Sequence, residues 1–230
     1  MGKNHIVIAV YNENIDWIHM IDMNLYDIFI YNKGSNEIVT NQTCHLIALP
    51  NVGRESHTYL YHIIAHYDNL PERILFFQGR PHDHVSKDFV KQINELDGSD
   101  VDSSFHHFSK YCLTIKYDPE KGKLKEYGYL QQQGTQDTYT YWINVHDVNC
   151  PLMDVYQKIY GLLCDVQFFE IQFIPGANFS TCRQMITSYP KSFYIKCIDV
   201  LLESQNVVNP TEGHAFERLW KYMFEKNNPV

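Results

Sequence analysis

Three short apolar runs, each closed by a polar cluster, constrain this chain most. His5-Ile6-Val7-Ile8-Ala9-Val10 ends in Tyr11-Asn12-Glu13-Asn14. Asp27-Ile28-Phe29-Ile30-Tyr31 ends in Asn32-Lys33-Gly34, and Arg73-Ile74-Leu75-Phe76-Phe77 ends in Gln78-Gly79-Arg80-Pro81-His82-Asp83-His84. The last run is continuously apolar, the pattern of a central strand covered on both faces. Helical periods separate the runs, so the spacing predicts an α/β sheet. In such sheets ligands bind in the crevice beyond the carboxyl ends of the strands. The three clusters therefore predict one shared site for a nucleotide-like ligand, with Tyr11, Asn12, Lys33, Gly34, Gln78 and Gly79 among its residues.

Between the first two runs, Asp16 to Met23 reads as a helix with Trp17, Ile18 and Ile21 on one face. Asn51 to His57 reads as a loop leading into a second helix, whose buried stripe is Tyr59, Leu60, Ile63, Ile64 and Tyr67. That helix ends at Asp68-Asn69-Leu70-Pro71, since proline cannot continue the ladder. Further helices are predicted at 87–96, 152–163 (with Leu162 and Leu163 inward), about 181–187, 192–202 and from about 211 to 224, with a strand at 168–174. Asp97 to Asp100 is a turn cluster, and 118–140, rich in Gly and Gln, reads as a long loop of the kind that serves as a lid or a surface insertion.

A net charge of −8 argues against nucleic-acid binding, which requires a basic face. No apolar run approaches the roughly 18 residues of a membrane span, and no charged-then-apolar leader precedes the first strand, so a cytoplasmic protein is expected. The six cysteines form no Cys-x-x-Cys pair and read as buried free thiols, as in Leu162-Leu163-Cys164. Neither GxGxxG, GxxxxGK[ST] nor GxSxG occurs.

Three constellations carry chemistry. Asn51-Val52-Gly53-Arg54 joins a glycine turn to a helix start, where amide groups and the helix dipole favour anions and Arg54 adds a bidentate phosphate contact. The alternative is a plain helix start with Arg54 and Glu55 solvated. Asp83, assisted by His82 or His84, offers ligands to a divalent cation bridging a diphosphate, Mn²⁺ or Mg²⁺, or else a cap for the helix that follows. Glu217, beside Arg218 in an apolar helix, is a general base, an outward-facing side chain or one half of an anchoring ion pair. His62 and His66, an i,i+4 pair without the glutamate of His-Glu-x-x-His, are expected to face solvent.

Val10-Tyr11-Asn12-Glu13, Ile30-Tyr31-Asn32-Lys33-Gly34, the block from Asn51 to Leu60, Phe77-Gln78-Gly79, Pro81-His82-Asp83-His84, Gly176-Ala177-Asn178-Phe179 and Glu217-Arg218-Leu219-Trp220 together resemble a family of largely uncharacterised proteins found in fungi, bacteria and large viruses. That family is similar to nucleotide-sugar glycosyltransferases of the GT-A type. The resemblance spans about residues 5–224 and implies a single-domain, GT-A-like, Rossmann-type mixed sheet flanked by helices. Residues 1–84 would form its nucleotide-binding half and 85–230 its acceptor and catalytic half. It further implies transfer of a sugar from a nucleoside diphosphate to a carbohydrate acceptor hydroxyl. Donor contacts would come from Tyr11, Asn12, Lys33, Gly34, Asn51, Gly53, Arg54, His57, Gln78 and Gly79, a metal at Asp83 and His84, and catalysis from Glu217 with Arg218. In GT-A enzymes an Asp-x-Asp element holds the metal; here the place reads His82-Asp83-His84, and Arg54 or Lys33 would supply the missing positive charge. The rival expectation is a nucleotide- or carbohydrate-binding module that kept the fold without catalysis.

Overall fold

The computed structural model describes residues 2–96, 105–130, 143–147 and 150–225, and of residues 128–130 and 143–147 the backbone alone. Their strands are β1 (Asn4–Val10), β2 (Tyr26–Asn32), β3 (His45–Ala48), β4 (Arg73–Gln78), β5 (Phe105–His107), β6 (Tyr111–Asp118), β7 (Lys123–Leu130), β8 (Ile143–Asp147), β9 (Glu170–Phe173) and β10 (Phe179–Cys182). The α-helices are α1 (Arg54–His66), α2 (Phe89–Glu95), α3 (Leu152–Tyr160), α4 (Arg183–Thr187), α5 (Lys191–Leu202) and α6 (Thr211–Phe224).

The protein is a single mixed α/β domain. Its larger sheet has the order β3-β2-β1-β4-β10-β5. The first four strands are parallel, and β10 runs antiparallel to both β4 and β5. Alternation along the central strands divides the core in two. Ile6, Ile8, Val10, Ile28, Ile30, Leu75 and Phe77 pack with Trp17, Ile18, Phe89 and Ile93. Val7, Ala9, Phe29, Tyr31, Ile74 and Phe76 pack with Tyr59, Leu60 and Ile63 of α1, Leu201 of α5 and Trp220 of α6. The smaller sheet, antiparallel in the order β8-β7-β6-β9, contributes Leu113, Ile115, Ile171 and Phe173 to this second cluster. Two strands from beyond residue 84 thus complete the larger sheet. No helix among the described residues is long and apolar enough to cross a membrane.

Several expectations need correction. The helix at 16–23 is a 3-10 turn over Asp16–Met20. The loop expected from 118 is in part the hairpin β6–β7, paired from Asp118↔Lys123 to Tyr111↔Leu130; residues 131–140, like the turn cluster 97–100, lie outside the described residues. Helix α3 stops at Tyr160 because Gly161 takes a left-handed conformation at φ 70°, so Leu162 and Leu163 are exposed rather than inward. All six cysteines are free, but only Cys112, Cys182 and Cys197 are buried; Cys44 and Cys150 are half-buried and Cys164 is exposed. His62 faces the core, not solvent: its Nδ1 meets the Tyr31 hydroxyl at 2.8 Å and its Nε2 meets His5 Nδ1 at 3.1 Å.

Candidate functional site at the carboxyl ends of the central strands

Strand β1 lies between β2 and β4. From β1 the chain builds β2 and β3 on one side, then returns through α1 to place β4 on the other. The strand order therefore reverses between β1 and β4, the position at which open α/β sheets leave a crevice. A cleft of about 340 Å³ occupies it, lined by Ala9, Val10, Tyr11 and Glu13 after β1, Lys33 after β2, Asn51, Arg54 and Glu55 at the start of α1, Gln78 and Arg80 after β4, and Val208.

The start of α1 is held in an unusual backbone conformation. Gly53 and Arg54 both have positive φ, 64° and 52°. Gly53 is required twice over, since a Cβ there would lie 2.7 Å from His57 Cβ and 2.8 Å from Leu201 Cδ2. Arg54 has no such excuse, and its strain must be offset by its neighbours. The Lys33 ammonium donates to the carbonyls of both Val52 and Arg54, clamping the turn from the end of β2. Burial lowers the Lys33 pKa to about 8, with Glu55 acting in the opposite direction. Two of its three N–H donors are thereby used, leaving one for a ligand. Arg54 Nη1 reaches His214 Nε2 at 2.7 Å and Asn209 Oδ1 at 3.4 Å, and its Nε lies 3.6 Å from Glu55 Oε2. The guanidinium thus joins α1 to the first turn of α6.

Two carboxylates flank these cations. Glu55 is buried, its Oε1 has no hydrogen-bond partner, and burial raises its pKa, with Glu217 adding to the shift and Arg54 and Lys33 opposing it. Glu217 sits behind, its Oε1 accepting the Gly176 amide at 2.6 Å while Oε2 stands 4.0 Å from His214 Nδ1 and 3.8 Å from Arg218 Nη1. The turn it grips is tied to β4, because Asn178 Oδ1 accepts the Gln78 amide at 3.1 Å, and to α1, because the Tyr59 hydroxyl donates to Ala177 O at 3.1 Å.

Of the residues the sequence singles out, the structure brings Tyr11, Lys33, Asn51, Arg54 and Gln78 together in the cleft wall. Four others shape it from behind. Gly34 admits no side chain, as a Cβ would lie 2.2 Å from Asn12 Oδ1. Asn12, at φ 63°, accepts the Asn36 amide and lines an adjoining cleft of about 230 Å³. Gly79 ties the two strand ends, donating to Ala9 O at 2.8 Å and accepting from Trp17 Nε1 at 2.9 Å. His57 is buried against Gly53, away from the lining, with its pKa lowered to about 4 by burial and by Lys33.

Arg218 is directed elsewhere. It donates through Nε and Nη2 to Glu126 Oε1 of β7, and through Nη1 to His214 O at 2.8 Å, while lying over the Phe173 ring. Asp83 is 66% exposed and 3.8 Å from Arg80, and the His84 ring packs against Gly176. Among the described residues no group of three or more His, Cys, Asp or Glu is arranged to hold a metal ion.

Sequence reasoning assigned no role to Glu13, Glu55 or Arg80, although each stands inside one of the polar clusters. Val208, 153 residues beyond Glu55 in the chain, carried no signal at all; the amide of Gly53 donates to Val207 O at 2.7 Å and so brings that loop to the cleft.

A family model described as "Protein of unknown function (DUF3431)" matches residues 6–230. The chain belongs to this family. None of the curated proteins compared with it matches. The match spans the strand ends, the start of α1 and all of α6, so every residue that lines the cleft lies within the family's extent.

Proposed function

We propose that this protein binds a nucleoside-diphosphate sugar in the cleft between the ends of β1 and β4 and transfers the sugar to an acceptor hydroxyl, as a GT-A-like glycosyltransferase. One observation carries the reading: Lys33, Arg54 and Arg80 converge with the start of α1 on a cleft at the point of strand-order reversal. Three cations and a helix N-terminus favour an anion there. The departing diphosphate accumulates negative charge, which pre-positioned cations stabilise. The Lys and Arg side chains take that electrostatic role in this reading, and no step is assigned to a metal. Glu217, behind the cleft wall, is the acid–base candidate; its Oε1 is oriented by the Gly176 amide and its Oε2 is shared with His214 and Arg218, so an acceptor proton would have to compete with those ion pairs.

The second reading is a binding module without catalysis. It is favoured by the engagement of Glu217 with Gly176, which is a sufficient reason for a carboxylate there. Calorimetry with a panel of nucleoside diphosphates and their sugars, followed by chromatography of the incubated donors with and without acceptor sugars, separates the two. Binding with donor turnover supports the transferase, binding without turnover supports the module, and no binding of any member removes both.

A further inference from the structure

We propose that Glu55 is the proton-accepting group of the cleft: a diphosphate that enters beside Arg54 and Lys33 is bound together with a proton, taken from solvent by the Glu55 carboxylate, which then donates a hydrogen bond to a phosphate oxygen. The proposal rests on the diphosphate reading of the cleft and deepens it, because it makes the occupancy of the site depend on pH.

The geometry supplies the reason. Glu55 lies in the first turn of α1 and lines the cleft, yet it is only 8% exposed and its Oε1 is buried with no partner. A buried carboxylate oxygen without a donor is costly, and protonation or a ligand must relieve it. The charged and titratable groups around it are Arg54 and Tyr59 on its own helix, Lys33 at the end of β2, and Glu217 on α6; Glu13 and Arg80 line the same cleft. Burial already disfavours the ionised form, and Glu217 reinforces burial. A diphosphate brings at least two further negative charges into that space. Arg54, which ion-pairs with Glu55 at 3.6 Å, would be drawn toward the phosphate, weakening what holds the carboxylate ionised. Both effects favour the acid form, so the bound state holds more protons than the free one. By linkage, binding strengthens as pH falls. Once protonated, Glu55 becomes a donor, so the repulsion is replaced by a contact.

The test is isothermal calorimetry of pyrophosphate, and of ADP, CDP, GDP and UDP, in buffers of different ionisation enthalpy from pH 6 to 9, on the wild type and on Glu55→Gln. Lys33, with its own pKa near 8, also takes up protons when an anion binds. The ligands titrate too. The quantity read is therefore the difference between the two proteins, in which the ligand contribution cancels; because Glu55 raises the Lys33 pKa, its removal enlarges the Lys33 uptake in the variant, so the excess read is a minimum. The wild type should take up roughly half a proton or more in excess of Glu55→Gln, and its affinity should fall more steeply as pH rises, approaching about tenfold per pH unit where a full proton is exchanged. Equal proton uptake and parallel affinity profiles overturn the proposal while leaving the diphosphate site standing. No binding of any probe overturns the diphosphate reading and this linkage with it. If Glu55→Gln does not fold, carbon-13 spectra of the glutamate side-chain carboxyls in the wild type decide instead: one resonance must move to the neutral-acid position on adding pyrophosphate, and its failure to move overturns the proposal.

Discussion

Arg54 combines a place in the cleft wall with a structural role in one side chain. Its guanidinium lines the cleft and also joins α1 to α6 through His214 and Asn209. Arg54→Ala should weaken diphosphate binding by about 1.5–3 kcal/mol, the range of charge-assisted hydrogen bonds, and should also cost on the order of 1 kcal/mol of stability through the lost link to α6. Calorimetry and urea denaturation read the two effects separately; unchanged affinity in a folded variant would remove the phosphate role. Gly176 makes a sharper stability prediction. It sits at φ 89°, and a Cβ there would lie 2.5 Å from His84 Cβ. Gly176→Ala should therefore lower stability by about 1–3 kcal/mol, measured as a reduced urea midpoint. A midpoint equal to the wild type would show that the turn has room to relax. At this scale the sequence was legible where local chemistry decides. Asn51-Val52-Gly53-Arg54 reads as a helix start. It was silent on burial, and burial is what sets Glu55 apart from a solvated glutamate.

Elements were legible in proportion to how strongly one face is apolar. Strands β1, β2 and β4 and helix α1 stand out because they are covered on both faces or carry a full stripe. Strand β7, which includes Lys123-Leu124-Lys125-Glu126-Tyr127, does not read as a strand because its buried positions include polar residues whose partners lie in other elements: Lys125 with Asp118, and Glu126 with Arg218. The same limit hid the histidine cluster that fastens α1 to the sheet. His5 of β1, His45 of β3, and His62 and His66 of α1 surround Phe29 of β2, with ring centroids 4.4–4.9 Å from it. Burial, with neighbouring histidines adding to it, lowers the pKa of His5 to about 4, that of His62 well below the ordinary value, and that of His66. In the unfolded chain these rings titrate near 6.5, so between that pH and the folded values the unfolded state binds more protons. Their contribution to stability is complete above about pH 6.5 and is lost as pH falls toward 4, at about 1.4 kcal/mol per pH unit for each excess proton. The melting temperature should accordingly decline from pH 7 to pH 4.5. His5→Asn, whose amide can stand near the position of Nδ1, should flatten that decline. An equally steep profile in the variant would place the acid sensitivity elsewhere.

For the whole molecule, the two sheets have to be joined, and α6 joins them. Its Trp220 and Phe216 pack in the core behind the larger sheet, and its Arg218 reaches Glu126 on the smaller one. Neighbouring residues on that helix should consequently fail in different ways when changed. Removing one partner of a buried ion pair leaves the other charge uncompensated, which typically costs about 3–5 kcal/mol. Arg218→Met should therefore lower the urea midpoint severely, and whatever fraction stays folded should bind a nucleoside diphosphate as the wild type does, because the cleft wall is untouched. Glu217→Gln should do the reverse. The glutamine oxygen can still accept the Gly176 amide, so the fold should tolerate the change, and donor binding should be nearly unaltered. Loss of a general base acts on the transition state, so turnover should drop by a factor of about 10²–10⁴. The pair of variants also tests the proposed function. If Glu217→Gln melts early and its folded fraction turns over donor normally, Glu217 only anchors the 175–178 turn and the acid–base role must pass to another carboxyl. If Arg218→Met keeps its stability but loses binding, the ion pair with Glu126 is a consequence of the fold rather than its fastening, and Arg218 belongs to the site after all.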